Sequence, residues 1–134
     1  MQTVFKAKSA ADFLALVPAL AGYTPTRSIA LVAFEGARTL GVLRVDLPPD
    51  GADEQDIAAS AATFIGLVCR LHDADGIAPV VYCDEPLREI PGGRIAHAAL
   101  IDAVLRCADA CGLRVRAALC VASDAWCSYL EPAG

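Results

Sequence analysis

The sequence predicts a mixed α/β (α+β) fold. It has one mixed β-sheet of about five strands with three helices, in the order α-β-β-α-β-α-β-β, packed as a two-layer sandwich. Three observations predict it. Two long segments each carry one apolar stripe at helical spacing. Short apolar runs bounded by Gly, Pro and Asp alternate with them. The 134 residues suit one domain, 1–134, because domains usually run to roughly 100–200 residues.

The first helix is expected over 9–22. Ser9 offers an N-cap with Asp12 in the first turn. Phe13, Leu16, Val17 and Leu20 form one stripe, and Gly22 is the stop. Pro18 disfavours α geometry at Val17, so the helix is expected to kink there or to be rebuilt as two short turns. Ser28 to Phe34 reads as a buried strand, Glu35 to Arg38 as a turn, and Leu40 to Leu47 as the antiparallel partner, ended by Pro48-Pro49-Asp50-Gly51.

Asp53 is placed to cap a second helix reaching about His72, with Ile57, Ala61, Phe64, Ile65, Val68 and Leu71 on its apolar face. Ile77 to Cys83 is a short apolar strand, followed by a loop over 84–93. A third helix is expected from about Arg94 to Cys111. Its apolar face is His97, Leu100, Ile101, Val104, Cys107, Ala108 and Cys111, and Gly112 ends it. Leu113 to Ala122 and Trp126 to Leu130 are the last strands. The β-α-β stretch over 77–122 predicts a parallel crossover. Single-striped helices place both long helices on one face of the sheet.

Composition narrows the function classes. Hydrophobic residues are 56% and charged ones 20%, which excludes intrinsic disorder. Sixteen acids against eleven bases give −5, so a basic footprint for nucleic acid is absent and an anionic membrane surface is disfavoured. The N-terminus has no apolar core behind its lysines, and no run of 18 uncharged apolar residues occurs. The expectation is a cytoplasmic protein. Its six cysteines are then reduced and act as small hydrophobes, since disulfide frameworks belong to small secreted domains.

No nucleophile–base–orienter set is visible, so no catalytic residue, metal site or cofactor is predicted. Cys107 and Cys111 lie one helical turn apart, but His97 would sit about 21 Å along the axis from Cys111, too far for one ion. Arg44 and Asp46 share one strand face, with Leu43, Val45 and Leu47 on the other. They line either a pocket or a solvated face. The loop 84–94 follows the end of a strand, where α/β sheets bind ligands, but it lacks a phosphate-binding motif. Trp126 and Ser128 share one face of the last strand, while Cys127 and Tyr129 take the other.

Three stretches resemble a known family. They are Leu16-Val17-Pro18-Ala19-Leu20-Ala21-Gly22-Tyr23-Thr24-Pro25-Thr26-Arg27-Ser28, Leu43-Arg44-Val45-Asp46-Leu47-Pro48, and Ala125-Trp126-Cys127-Ser128-Tyr129-Leu130. Together they resemble the actinobacterial domain of unknown function family 4192, over nearly the whole chain. Members commonly carry Gly-Arg before the tryptophan, where this chain has Asp124-Ala125, and a cysteine cluster after the Ser-Tyr, where it has Glu131 to Gly134. Members are often longer, so this chain reads as a minimal version. The resemblance implies no activity. It singles out Arg27, Ser28, Arg44, Asp46, Trp126 and Tyr129 as candidate ligand-binding residues.

The expectation is therefore a non-catalytic binding or homo-oligomeric assembly module, most simply a homodimer, with no nucleic-acid or membrane partner. The alternative is a small-molecule sensor or enzyme with a pocket around Arg44, Asp46 and the 84–94 loop.

Overall fold

In the computed structural model, which describes residues 14, 17, 18, 22, 27–36, 38–48, 52–71, 73–83, 97–122 and 126–129, the sheet is built around the most apolar segment of the chain. That segment is β1 (Ser28–Glu35), flanked by β2 (Arg38–Asp46) and β3 (Gly76–Tyr82), both antiparallel to it. Gly36 makes the β1–β2 turn at φ +58°, a conformation that suits glycine. Between β2 and β3 runs α1 (Glu54–Cys69), and α2 (Ala98–Ala110) follows β3. The chain then adds β4 (Arg114–Val115) and β5 (Leu119–Val121), both parallel to β3, and β6 (Trp126–Ser128), antiparallel to β5. The order across the sheet is β2-β1-β3-β5-β6, with β4 also on β3.

The parallel crossover is therefore present, but the sheet has six strands where about five were expected. The strand predicted over 113–122 is split into β4 and β5, and Pro79 supplies the reason. Odd-numbered residues of β3 aim their backbone groups at this neighbour: the Ile77 carbonyl accepts from Arg116 N at 2.8 Å and Cys83 N donates to Val121 O at 2.9 Å. Pro79 falls between them with no N–H to donate, so the ladder is interrupted there.

The helix ends also differ. Asp53 caps α1 as predicted, accepting from Asp56 N at 2.8 Å, but α1 stops at Cys69, so Leu71 lies beyond it and is exposed. α2 begins at Ala98, not near Arg94. His97 is its N-cap in the left-handed region at φ 61°, and so is no part of an apolar helical face. Cys111 is the exposed C-cap. Gly112 at φ 78° ends the helix as predicted: Gly112 N donates to Asp109 O at 3.1 Å and Leu113 N to Ala108 O at 2.9 Å, the paired bonds of a Schellman stop.

Two helices rather than three are delimited among the described residues. The prediction over 9–22 lies largely outside them, though Leu14, Val17 and Pro18 are helical and Gly22 N donates to Pro18 O at 2.8 Å. His72, most of the loop after β3 (84–96) and the turn at Ser123-Asp124 also lie outside the described residues. No helix of the described residues is long and apolar enough to cross a membrane.

The two-layer expectation needs a further correction, because the sheet is buried on both faces. One face packs Ile29, Leu31, Ala33, Ile77, Val81 and Cys120 against Phe64, Ile65 and Val68 of α1 and Leu100, Ile101 and Val104 of α2. The other buries Ala30, Val32, Phe34, Ala78, Val80, Tyr82 and Leu119 with Val17. The amphipathic helices announce only the first layer. The unbroken apolar runs of β1 and β3 are the mark of strands covered on both sides.

Candidate functional site

The strand registers bring distant parts of the sequence into line. Asp46 pairs with Ser28, Ser28 with Tyr82, Tyr82 with Val121, and Val121 with Trp126. These five residues form one transverse row across the sheet, at the carboxyl ends of β3 and β5. Paired residues point to the same face, here the one carrying Val80, Tyr82 and Leu119. The next row holds Arg44, Ala30, Val80, Leu119 and Ser128. Arg44, Ser28, Asp46 and Trp126, from all three resembling stretches, thus share one end of one face.

The environments along the row differ sharply. Ser28 is wholly buried, and its hydroxyl has no hydrogen-bond partner. Tyr82 is buried beside it, and burial pushes its phenol up to about 12, so it is neutral at pH 7. Asp46 is 80% exposed and its carboxylate accepts from Arg44 at 2.9 Å. Trp126 is exposed at the opposite edge. Four strand spacings separate Asp46 from Trp126, about 19 Å, so no small ligand touches both. Arg27 precedes the row in the left-handed region at φ 46°, and its carbonyl accepts from Leu47 N at 3.4 Å.

Tyr129 does not join this group. It lies on the helix-covered face with Cys120 and Cys127, where its hydroxyl hydrogen-bonds Cys120. Cys83 Sγ is 3.9 Å from Cys120 Sγ, and Cys127 is paired with Cys120 across β5–β6. Burial pushes the Cys120 thiol up to about 12 and raises Cys127 and Tyr129 as well. None of the three cysteines is in a disulfide. Among the described residues no group of three or more His, Cys, Asp or Glu is placed to hold a metal ion. Sequence reasoning missed both Tyr82 and this thiol cluster. Only the register connects Cys83, Cys120 and Cys127, which stand at unrelated spacings.

A second feature lies at the β2 edge. There Leu31, Ala33, Leu40, Gly41, Val42, Leu43, Leu67, Val68 and Leu71 line an apolar groove of about 320 Å³, with Leu67 and Leu71 exposed on its rim. The missed signal was Leu67, which is absent from the predicted apolar face of that helix. A larger groove of about 540 Å³ lies between α1 and α2, lined by Glu54, Gln55, Asp102 and Arg106 together with Ile57 and three alanines. Neither groove includes Arg44 or Asp46. The far end of the sheet is already saturated: Asp75 accepts from Gly36 N at 2.9 and 3.0 Å, and Arg116 Nη1 donates to Gly36 O at 2.6 Å.

No curated protein and no solved structure matches the chain. A family profile described as Domain of unknown function (DUF4192) matches residues 11–134, and the chain belongs to that family.

Proposed function

We propose that this domain is a non-catalytic assembly module that forms a homodimer by antiparallel pairing of two β2 strands. The observation that carries the reading is the β2 edge. Among the described residues no further strand pairs with β2, and the apolar groove under Leu67 and Leu71 lies along it. A long strand edge beside exposed apolar side chains is a template for another strand.

The occupant is a second copy, because β2 is complementary to itself. Leu47 N donates inward to β1's side, so Arg44 and Asp46, of opposite parity, aim their backbone groups outward. A two-fold axis at Val45 sets Arg44 of each copy across from Asp46 of the other. Unlike charges then face each other on one side. On the other, Leu43 meets Leu47 at the mouth of the groove.

The rival reading, a pocket built on Arg44 and Asp46, has less support. Asp46 is mostly exposed, and Arg44 is committed to it.

Sedimentation of the full chain at tens of micromolar is expected to give a dimer. Asp46→Arg should weaken it at least tenfold, and the double swap Arg44→Asp with Asp46→Arg should restore it. A monomer mass for the unaltered chain overturns the reading.

A further inference from the structure

We infer that Cys83 and Cys120 form an oxidisable dithiol that closes to a disulfide joining β3 to β5. The geometry carries this independently of the dimer. The two sulfurs are 3.9 Å apart, against the bonded S–S length of about 2.05 Å. Cys120 is paired with Val81, so Cys83 is its diagonal neighbour, and closure takes side-chain rotation together with a small shift of the backbone just past β3. The two segments are held side by side, with Cys83 N donating to Val121 O at 2.9 Å beside the Tyr82–Val121 pair. Both sulfurs sit on the helix-covered face, and the bond would close a chain segment spanning the whole β3-α2-β5 crossover.

The reaction needs an oxidant, and a small disulfide such as glutathione disulfide supplies it by exchange. Cys83 is half-buried while Cys120 is fully buried, so entry is at Cys83. Its thiolate attacks one sulfur of glutathione disulfide, forming the mixed disulfide and releasing one glutathione thiolate. The Cys120 thiol gives up its proton and attacks Cys83 Sγ, expelling the second glutathione. The protein loses two protons and two electrons, and one glutathione disulfide becomes two glutathiones. Burial raises the Cys120 thiol, so closure is slow and is best followed over hours at mildly alkaline pH. Cys127, across from Cys120, is a third thiol within the cluster and the competitor for the bond.

The test is incubation of the full chain with excess glutathione disulfide, alkylation of the remaining thiols, and peptide mapping without reduction. The expected product links the Cys83 peptide to Cys120, with a mass two hydrogens lower and a raised thermal midpoint. Cys127→Ser should keep the link and Cys83→Ser should abolish it. Cys69→Ser with Cys111→Ser, removing the exposed thiols, should leave it intact. Recovery of Cys83 and Cys120 as alkylated thiols or as stable glutathione adducts overturns the inference, as does a link from Cys83 to Cys127.

Discussion

Both faces of the sheet are buried at their centres but are built differently. On one, α1 and α2 lay amphipathic stripes over β1 and β3, and the row nearest the β3 carboxyl end finishes in thiols, Cys120 and Cys127. On the other, Phe34, Val32, Val80 and Tyr82 pack with Val17, and the row at the same end carries Ser28, Asp46 and Trp126. The first face is apolar to its edge apart from the thiols and Tyr129. The second grades from a dry centre to a charged rim. Ser28, Asp46 and Trp126 lie on the face that helical periodicity does not announce, while the thiols of Cys83, Cys120 and Cys127 lie on the face it does.

The largest test of this equivalence is Phe34→Ala. Phe34 is fully buried on the second face, with the Arg116 guanidinium 5.5 Å from its ring centroid. Removing a buried Phe costs about 3–5 kcal/mol, and Leu100→Ala on the helix-covered face costs about 2–5 kcal/mol. Denaturant unfolding should give similar losses for both. A Phe34→Ala loss below about 1 kcal/mol, the range of a surface change, would show that only one face is a core.

A smaller effect separates the faces by pH. Burial pushes Cys120 on one face and Tyr82 on the other up to about 12, from ordinary values of 9.0 and 10.0. Both groups are neutral when protonated, so the fold retains protons that the unfolded chain releases. Their contribution is complete below about pH 9 and is lost as pH rises towards 12, at about 1.4 kcal/mol per pH unit for each proton. The denaturation midpoint should therefore fall from pH 9 to 11. Cys120→Ala should flatten that fall from pH 9 upward, and Tyr82→Phe only from pH 10. Identical curves for the two variants would mean that the faces do not differ in this way.

How much of this was legible in the sequence follows from range. Local signals were read correctly: the Asp53 cap, the Gly112 stop, the Gly36 turn and the alternation of β2 are each set by residues a few positions apart. The parallel β3–β5 pairing followed from handedness and loop length. The split of β4 from β5 was not legible, because Pro79 acts on a strand nearly forty residues away in sequence. The candidate site was half legible. Ser28, Asp46 and Trp126 were singled out, but their alignment, the presence of Tyr82 between them and the separation of Tyr129 all depend on register. Register is fixed only when strands pair.

The smallest expected effect asks what the Ser28 hydroxyl is for. It is buried with no partner, and such a group destabilises by its lost hydration, about 1–3 kcal/mol. Ser28→Ala removes that penalty and leaves a void of one oxygen, which loses part of the gain through missing contacts. The net expectation is a stabilisation of up to about 1 kcal/mol, seen as a higher midpoint in thermal unfolding. On the helix-covered face, by contrast, the buried Cys120 thiol and the half-buried Tyr129 hydroxyl already bond to each other. If Ser28→Ala instead destabilises by 1 kcal/mol or more, the hydroxyl is engaged in the solution state. The row on the second face would then be a working hydrogen-bond site, and the contrast between a structural rim and a functional one would shift towards function.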